Sequence, residues 1–237
     1  MAEIVIVGDR FAKFSENDNV LTLTQALSLL SKDKIGEYNV IFGQGLSKEG
    51  IEIIETSLCR NSSNTSVQVS KTHPLRETTR NTHKSKIENV LISETIQSEE
   101  ETYHCHLLID DSCAEMADHV TGQHIQGMVL LEACRQMVNS VSERFLIDSS
   151  GDSKSYILHK LSSDFKEYLF PVESTMEMEI SRFRRGLRGD FTAECRINVM
   201  QNNIVCLSVF VKFSAIDAAS LSLVEKQLAE KSLSKIQ

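Results

Sequence analysis

Proline is nearly missing from this chain. Of 237 residues only Pro74 and Pro171 are proline, so long stretches can carry a periodic pattern without a breaker. No apolar run approaches the ~18 residues of a membrane span, which excludes a helical membrane protein. The cysteines at 59, 105, 113, 134, 195 and 206 include no CxxC pair. That spacing excludes a dithiol redox motif, and the cysteines read as reduced, mostly packed thiols of a cytoplasmic protein. The first residues, MAEIVIVGDRF, lack a basic leader and meet an Asp-Arg pair within ten positions, so no secretory signal is expected. Basic residues are in deficit, 25 Lys and Arg against 33 Asp and Glu, for a formal charge of −8. Such a balance argues against nucleic-acid or anionic-membrane partners.

What remains is ordinary globular material, 41% hydrophobic and 24% charged, in a length that suits one or two domains. Residues 3–7 and 38–42 read as buried strands. Residues 24–32 read as a helix with Thr24 at its N-cap, and 47–58 as a second helix with Glu49 in its first turn. With a short strand at 67–69, this alternation predicts a small α/β domain over 1–70. A polar stretch, 71–86, reads as a linker. Beyond it, 86–96 and 102–109 are strand-like, and one long helix runs from about 127 to 146. Four strands then follow at 155–165, 172–184, 190–200 and 204–214. This is an α+β pattern of one helix on an antiparallel sheet over 87–215. A C-terminal amphipathic helix within 216–237 carries Leu221, Val224, Leu228 and Leu233; it packs on its own domain or meets a partner.

The segment 118–137, DHVTGQHIQGMVLLEACRQM, carries the chemistry. Gly127 stands where loop becomes helix, and free backbone N–H groups there can hold an anion or polarise a carbonyl. Glu132, Arg135 and Gln136 share one helical face, continued by Asn139 and Glu143. Such a stripe is commonly a solvent face; a functional role requires that something cover it.

The string His119…His124-Ile-Gln-Gly127-Met128-Val-Leu-Leu-Glu132-Ala-Cys-Arg135-Gln136 resembles the signature of the A-factor biosynthesis hotdog (AfsA-like) family. His83-Lys84 followed by Glu88-Asn-Val-Leu-Ile92 resembles its first strand, and Phe165–Val172 the lead into its later strands. The likeness covers about 77–214. It implies a hotdog fold, a sheet wrapped around one central helix, as in β-hydroxyacyl carrier-protein dehydratases. Better-known members carry two such repeats, and their loop often has proline where Gln126 stands here; this chain has one repeat, which implies a homodimer. The 1–70 region has no counterpart in the resemblance.

The implied activity is transfer of a β-ketoacyl group from an acyl carrier protein thioester to a hydroxyl such as that of dihydroxyacetone phosphate. No resident cofactor is implied, since the substrate arrives on phosphopantetheine. A dehydratase or thioesterase on the same thioesters is the enzymatic alternative; a non-catalytic acyl-binding scaffold is the other. In the catalytic reading Glu132, desolvated and raised in pKa, is the base, with His119 as its competitor. Arg135 holds Glu132 charged or grips a phosphate. Gly127 or Met128 N–H forms part of an oxyanion site, and His124 and Gln136 border the substrate.

Three further features have bland and sharp readings. His104 and His106 alternate with Cys105 and read as an outward pair on a strand, not a metal site. Gly43-Gln44-Gly45 follows a strand without a dinucleotide or P-loop fingerprint, so it reads as a tight turn. Arg182, Arg184, Arg185 and Arg188 form either a solvated strand end or a docking patch for an acidic carrier protein.

Overall fold

The computed structural model describes residues 2–31, 38–61, 68–69, 74–116, 121–147, 154–186 and 189–234. Strands β1 (Ala2–Val7), β2 (Val20–Thr22), β3 (Tyr38–Phe42) and β4 (Gln68–Val69) form a parallel sheet in the order β2-β1-β3-β4. Helices α1 (Leu23–Leu30) and α2 (Lys48–Asn61) connect them. Parallel strands need such crossovers and bury both faces. Ile4, Ile6, Ala26, Leu30, Val40 and Ile54 make the resulting core. The α1 cap falls at Thr22, two residues before the expected Thr24. Gln25 three residues on completes a capping box, which Thr24 has no partner to make.

The remaining strands are β5 (Ile96–Glu99), β6 (Thr102–His106), β7 (Lys154–Phe165), β8 (Thr175–Arg185), β9 (Phe191–Gln201) and β10 (Ile204–Asp217). They form one antiparallel sheet in the order β5-β6-β8-β9-β10-β7. Alternate residues of β9 (Phe191, Ala193, Cys195, Ile197, Val199) face inward, as do Met176, Met178 and Ile180 of β8 and Leu207 to Ala215 on β10. Against them lies α4 (Gly127–Val141), with Val129, Ala133, Cys134, Met137 and Val141 on its buried side. A sheet around one long helix is the hotdog fold that the resemblance implied. The β9–β10 turn places Asn202 and Asn203 at positive φ (52° and 63°), the two-residue hairpin geometry that asparagine tolerates. The last helix, α5 (Ala218–Leu233), fully buries none of its residues: half-buried Leu221 lies against β7 and β10 at its start, while Val224, Leu228 and Leu233 are exposed. Among the described residues no helix is long and apolar enough to cross a membrane. Five of the six cysteines are buried thiols, with Cys59 exposed.

Two segments differ from their expected form. Residues 86–96 are not a continuous strand: a 3-10 turn spans Ile87–Asn89, and the buried run Val90, Leu91 and Ile92 is followed by isolated bridges only, Ile92 to Leu107 and Ser93 to Arg76. The run is buried and also pairs with the end of β6 and the residues after it: the Leu91 carbonyl accepts from the Leu108 N–H and the Ser93 N–H donates to the His106 carbonyl. Residues 74–86, expected as linker, are structured. Arg76 bridges to Ser93, the short helix α3 spans Thr79–Thr82, and Glu77 is 0% exposed. The Glu77 carboxylate accepts from Ser140, Arg144, Asn81 and the Thr78 N–H. Burial raises its pKa, and those hydrogen bonds outweigh the effect and lower it.

The Gly43-Gln44-Gly45 turn is a joint between the two sheets. The Gln44 side chain accepts from the Ile109 N–H (2.7 Å) and donates to the Leu107 carbonyl (2.9 Å). Its backbone N–H donates to the Pro171 carbonyl, and that of Gly45 to Ile109. A Cβ at Gly43 would stand 2.3 Å from the Pro171 oxygen, and one at Gly8 1.8 Å from the Gly45 oxygen. Only glycine fits these approaches. Gln44→Ala leaves two buried backbone groups unpaired and is expected to cost about 2 kcal/mol or more. The check is a lower Tm together with faster amide exchange at Ile109; an unchanged Tm would show that the joint carries no stability.

Candidate functional site

The predicted site residues divide between two places along α4. At its N-terminus the loop is held by the His124 N–H donating to Thr121 Oγ1 and by Ile125 N–H donating to the Leu169 carbonyl. No side chain caps the first turn. A groove of about 410 Å³ opens there, bordered by His124, Gly127, Phe165 and Tyr168. The His124 and Tyr168 rings lie 4.8 Å apart. The Phe165 ring lies across Gly127, where a Cβ would stand 2.7 Å from it. The Met128 side chain is 73% exposed and turned away from the core. His119 lies outside the described residues.

Glu132 sits five residues further, about 140° around the helix from Gly127, so within one chain the two face different surroundings. The stripe is covered, as a functional role required, by the strap of residues 76–92. The Glu132 carboxylate accepts from Arg135 Nε and Nη2 (both 2.8 Å), from Gln136 Nε2 (3.0 Å) and from Lys84 Nζ (3.1 Å). Lys84 also pairs with Glu115. Burial works to raise the Glu132 pKa, but the hydrogen bonds from Arg135 and Gln136 and the charges of Arg135 and Lys84 prevail and lower it to about 2. This corrects the expectation of a raised pKa: Glu132 is a saturated, weakly basic anchor. Gln136 is corrected likewise. It is 0% exposed, accepts from the Leu91 N–H and donates to the Asn89 carbonyl, so it ties the strap to the helix and has no capacity left for substrate.

Arg135 reaches outward from this anchor. Its Nη2 also donates to the Thr82 carbonyl, and its side chain stays partly exposed on a cleft of about 460 Å³. The apolar wall of that cleft is Val138, Leu158, Leu161, Val211 and Phe213. Leu158 and Leu161 both reach it because β7 carries an extra residue, His159, opposite the Lys212–Phe213 step of β10; a bulge re-aims the side chains that follow it. The polar end holds His83, Arg135, Asn139 and Tyr156. Asn139 is 4% exposed, and among the described residues its amide makes no hydrogen bond. His83 Nε2 and the Tyr156 hydroxyl both meet Glu143 Oε1, at 3.0 and 2.9 Å. Burial and the Glu143 charge push the Tyr156 hydroxyl up, so it stays protonated and donates.

Sequence reasoning passed over Lys84, Glu115 and Tyr156 and gave Glu143 no role beyond the stripe. The His83-Lys84 pair was the available signal. The arginine cluster is divided: Arg182 pairs with Glu194, Arg185 donates to the Leu146 carbonyl, Arg184 is exposed, and Arg188 lies outside the described residues. His104 and His106 face outward beside Glu177 and Glu173, with Cys105 buried between them.

The A-factor biosynthesis hotdog domain family matches this chain over residues 67–217. No curated protein sequence matches it. Similar solved structures include a mutant thioesterase from Pseudomonas aeruginosa, at 12% identity and TM-score 0.45, covering 62% of this chain and 97% of that one. A thioesterase from Haemophilus influenzae has 13% identity and TM-score 0.44, covering 62% and 93%. AziG from S. sahachiroi has 11% identity and TM-score 0.39, covering 53% and 91%.

The anchor makes a pH prediction. A carboxyl near 2 in the folded state, against about 4.3 unfolded, contributes stability that is complete above the unfolded value and is lost as pH falls towards 2. Carboxyl carbon shifts of Glu132 should titrate well below pH 4. Glu132→Gln should cost about 2 kcal/mol through its lost charged hydrogen bonds, a Tm drop of about 4–8 °C for a chain this size. A midpoint above pH 5 would restore Glu132 as a base.

Proposed function

The chain belongs to the A-factor biosynthesis hotdog domain family, and from that premise we propose that it is an enzyme acting on acyl thioesters. The reaction is transfer of an acyl group, a β-ketoacyl group in the first instance, from an acyl carrier protein to a hydroxyl acceptor such as dihydroxyacetone phosphate. The observation that carries this reading is the cleft beside α4. Its wall of Val138, Leu158, Leu161, Val211 and Phe213 suits an acyl chain, and its closed end offers the unpaired, nearly buried Asn139 amide beside the Arg135 guanidinium. A thioester carbonyl placed there meets a nearly buried donor, held on the helix, as negative charge develops on oxygen. Arg135 is held by Glu132 through Nε and Nη2, which leaves Nη1 for an acceptor phosphate. The groove at Gly127 is the second candidate for the carbonyl, through its uncapped backbone N–H groups. The pantetheine arm is the carrier's contribution, and exposed Arg184 suits an acidic carrier.

The reading has a direct test. Incubation with β-ketoacyl carrier protein, with and without dihydroxyacetone phosphate, followed by intact mass of the carrier, should show loss of the acyl group that depends on the acceptor. Loss without acceptor would assign a thioesterase, loss of water from a β-hydroxyacyl carrier a dehydratase, and an unchanged carrier throughout a scaffold. Asn139→Leu keeps the volume but removes the donor, and should lower kcat by about 10²-fold. Arg135→Lys should be comparably damaging, because an ammonium cannot replace the fork. Full activity in both variants would remove the cleft from the chemistry.

The functional unit in this proposal is a homodimer. Strand β7 is a sheet edge, with Leu158, Leu161 and Phe165 exposed along it, and such an edge is a template for pairing with a second copy. Light scattering should give twice the chain mass at micromolar concentration, and a stable monomer would count against it.

A further inference from the structure

We infer that His83, oriented by Glu143, is the base that takes the proton from the acceptor hydroxyl. The inference rests on the thioester reading above and replaces the base that Glu132 cannot be. Three independent observations carry it. First, the imidazole borders the same cleft as Arg135 and Asn139. Its backbone neighbour Thr82 is bound by the Arg135 guanidinium, so the two side chains are held together. Second, the ring is oriented. Glu143 accepts at 3.0 Å from Nε2 and is itself fixed by the Tyr156 hydroxyl, while the Tyr156 ring packs edge-on against the imidazole at 5.1 Å. An ionised carboxylate only accepts, so Nε2 carries the hydrogen and Nδ1 keeps the lone pair. Among the described residues Nδ1 has no partner. Third, His83 occupies the left-handed C-terminal position of α3, φ 54° and ψ 45°. Glycine is the usual residue there and histidine is one of the few others that adopt it, so the turn fixes the direction in which the imidazole leaves the chain.

The step balances without a further reactant. The acceptor oxygen bonds to the thioester carbonyl carbon as its proton passes to Nδ1. The resulting tetrahedral adduct collapses, the C–S bond breaks, and the imidazolium returns the proton to the departing pantetheine thiolate. Nothing is oxidised or reduced. Glu143 stabilises the imidazolium that forms between the two transfers and is a positioning residue. Glu143 belongs to the π turn Ser142–Leu146 that ends α4, a helical irregularity often found at functional sites.

The test uses His83→Gly, which relieves the positive φ and so retains the fold. With β-ketoacyl carrier protein and dihydroxyacetone phosphate it should lose about 10²-fold or more in kcat, and added imidazole should restore part of that loss. Glu143→Gln should lower kcat more than it changes KM. The other titratable groups around the ring are Tyr156 and Arg135, with Lys154 and Glu225 across the cleft. A folded His83→Gly variant with activity within threefold of the wild type overturns the assignment of the base and leaves the thioester reading standing. A loss that imidazole does not rescue, with kcat unchanged in Glu143→Gln, also overturns it in favour of a structural role. A wild-type protein that turns over no thioester overturns both.

Discussion

A carboxylate on the face of a central helix has to be paired or solvated, and in this protein the pairing organises the site. Glu132 draws Lys84, Arg135 and Gln136 to one point, and further along the helix the buried Glu77 draws Ser140 and Arg144 to another. Through these two clusters the strap of residues 76–92 is laid across α4. The strap is short of regular structure, and its place depends on charged hydrogen bonds that cannot be broken singly without leaving a buried charge unmatched. Its course then decides where His83 stands and which side of Arg135 faces the cleft. The acids here orient cations and close a surface over the helix, and the groups left with an open hydrogen-bonding position are an amide and an imidazole.

The regular elements were legible because their signals are local. Strands β8 to β10 follow period-two alternation, and α4 follows period 3.6, each within a contiguous run of sequence. The apolar run Val90-Leu91-Ile92 has the same composition as a strand but pairs only through an isolated bridge, because the Leu91 N–H is given to Gln136 on the helix, some 45 positions away. The charge state of Glu132 escaped for the same reason. Desolvation is inferable from an apolar helix, whereas the Lys84 ammonium that helps reverse its effect comes from 48 residues upstream. Gln136 looked available because a polar residue on a shared helical face says nothing of what covers it. Tyr156 and the bulge at His159 lie in a strand whose pattern gives no sign of an extra residue.

Gln44 places the N-terminal unit in a particular relation to the rest. Domains joined by an open linker can be exchanged between genes by recombination at the linker, because nothing beyond the chain itself needs to match. Here the contact is a mutual insertion. A glutamine side chain completes the backbone hydrogen bonding of Leu107 and Ile109, and Gly43 accommodates the Pro171 carbonyl oxygen at a distance no other residue allows. Val7 and Phe11, from the N-terminal segment, belong to the same core as α4 and the antiparallel sheet. Transplanting the N-terminal unit to another hotdog protein would require complementary changes on both sides of the seam, so the two halves of this chain are constrained to diverge together.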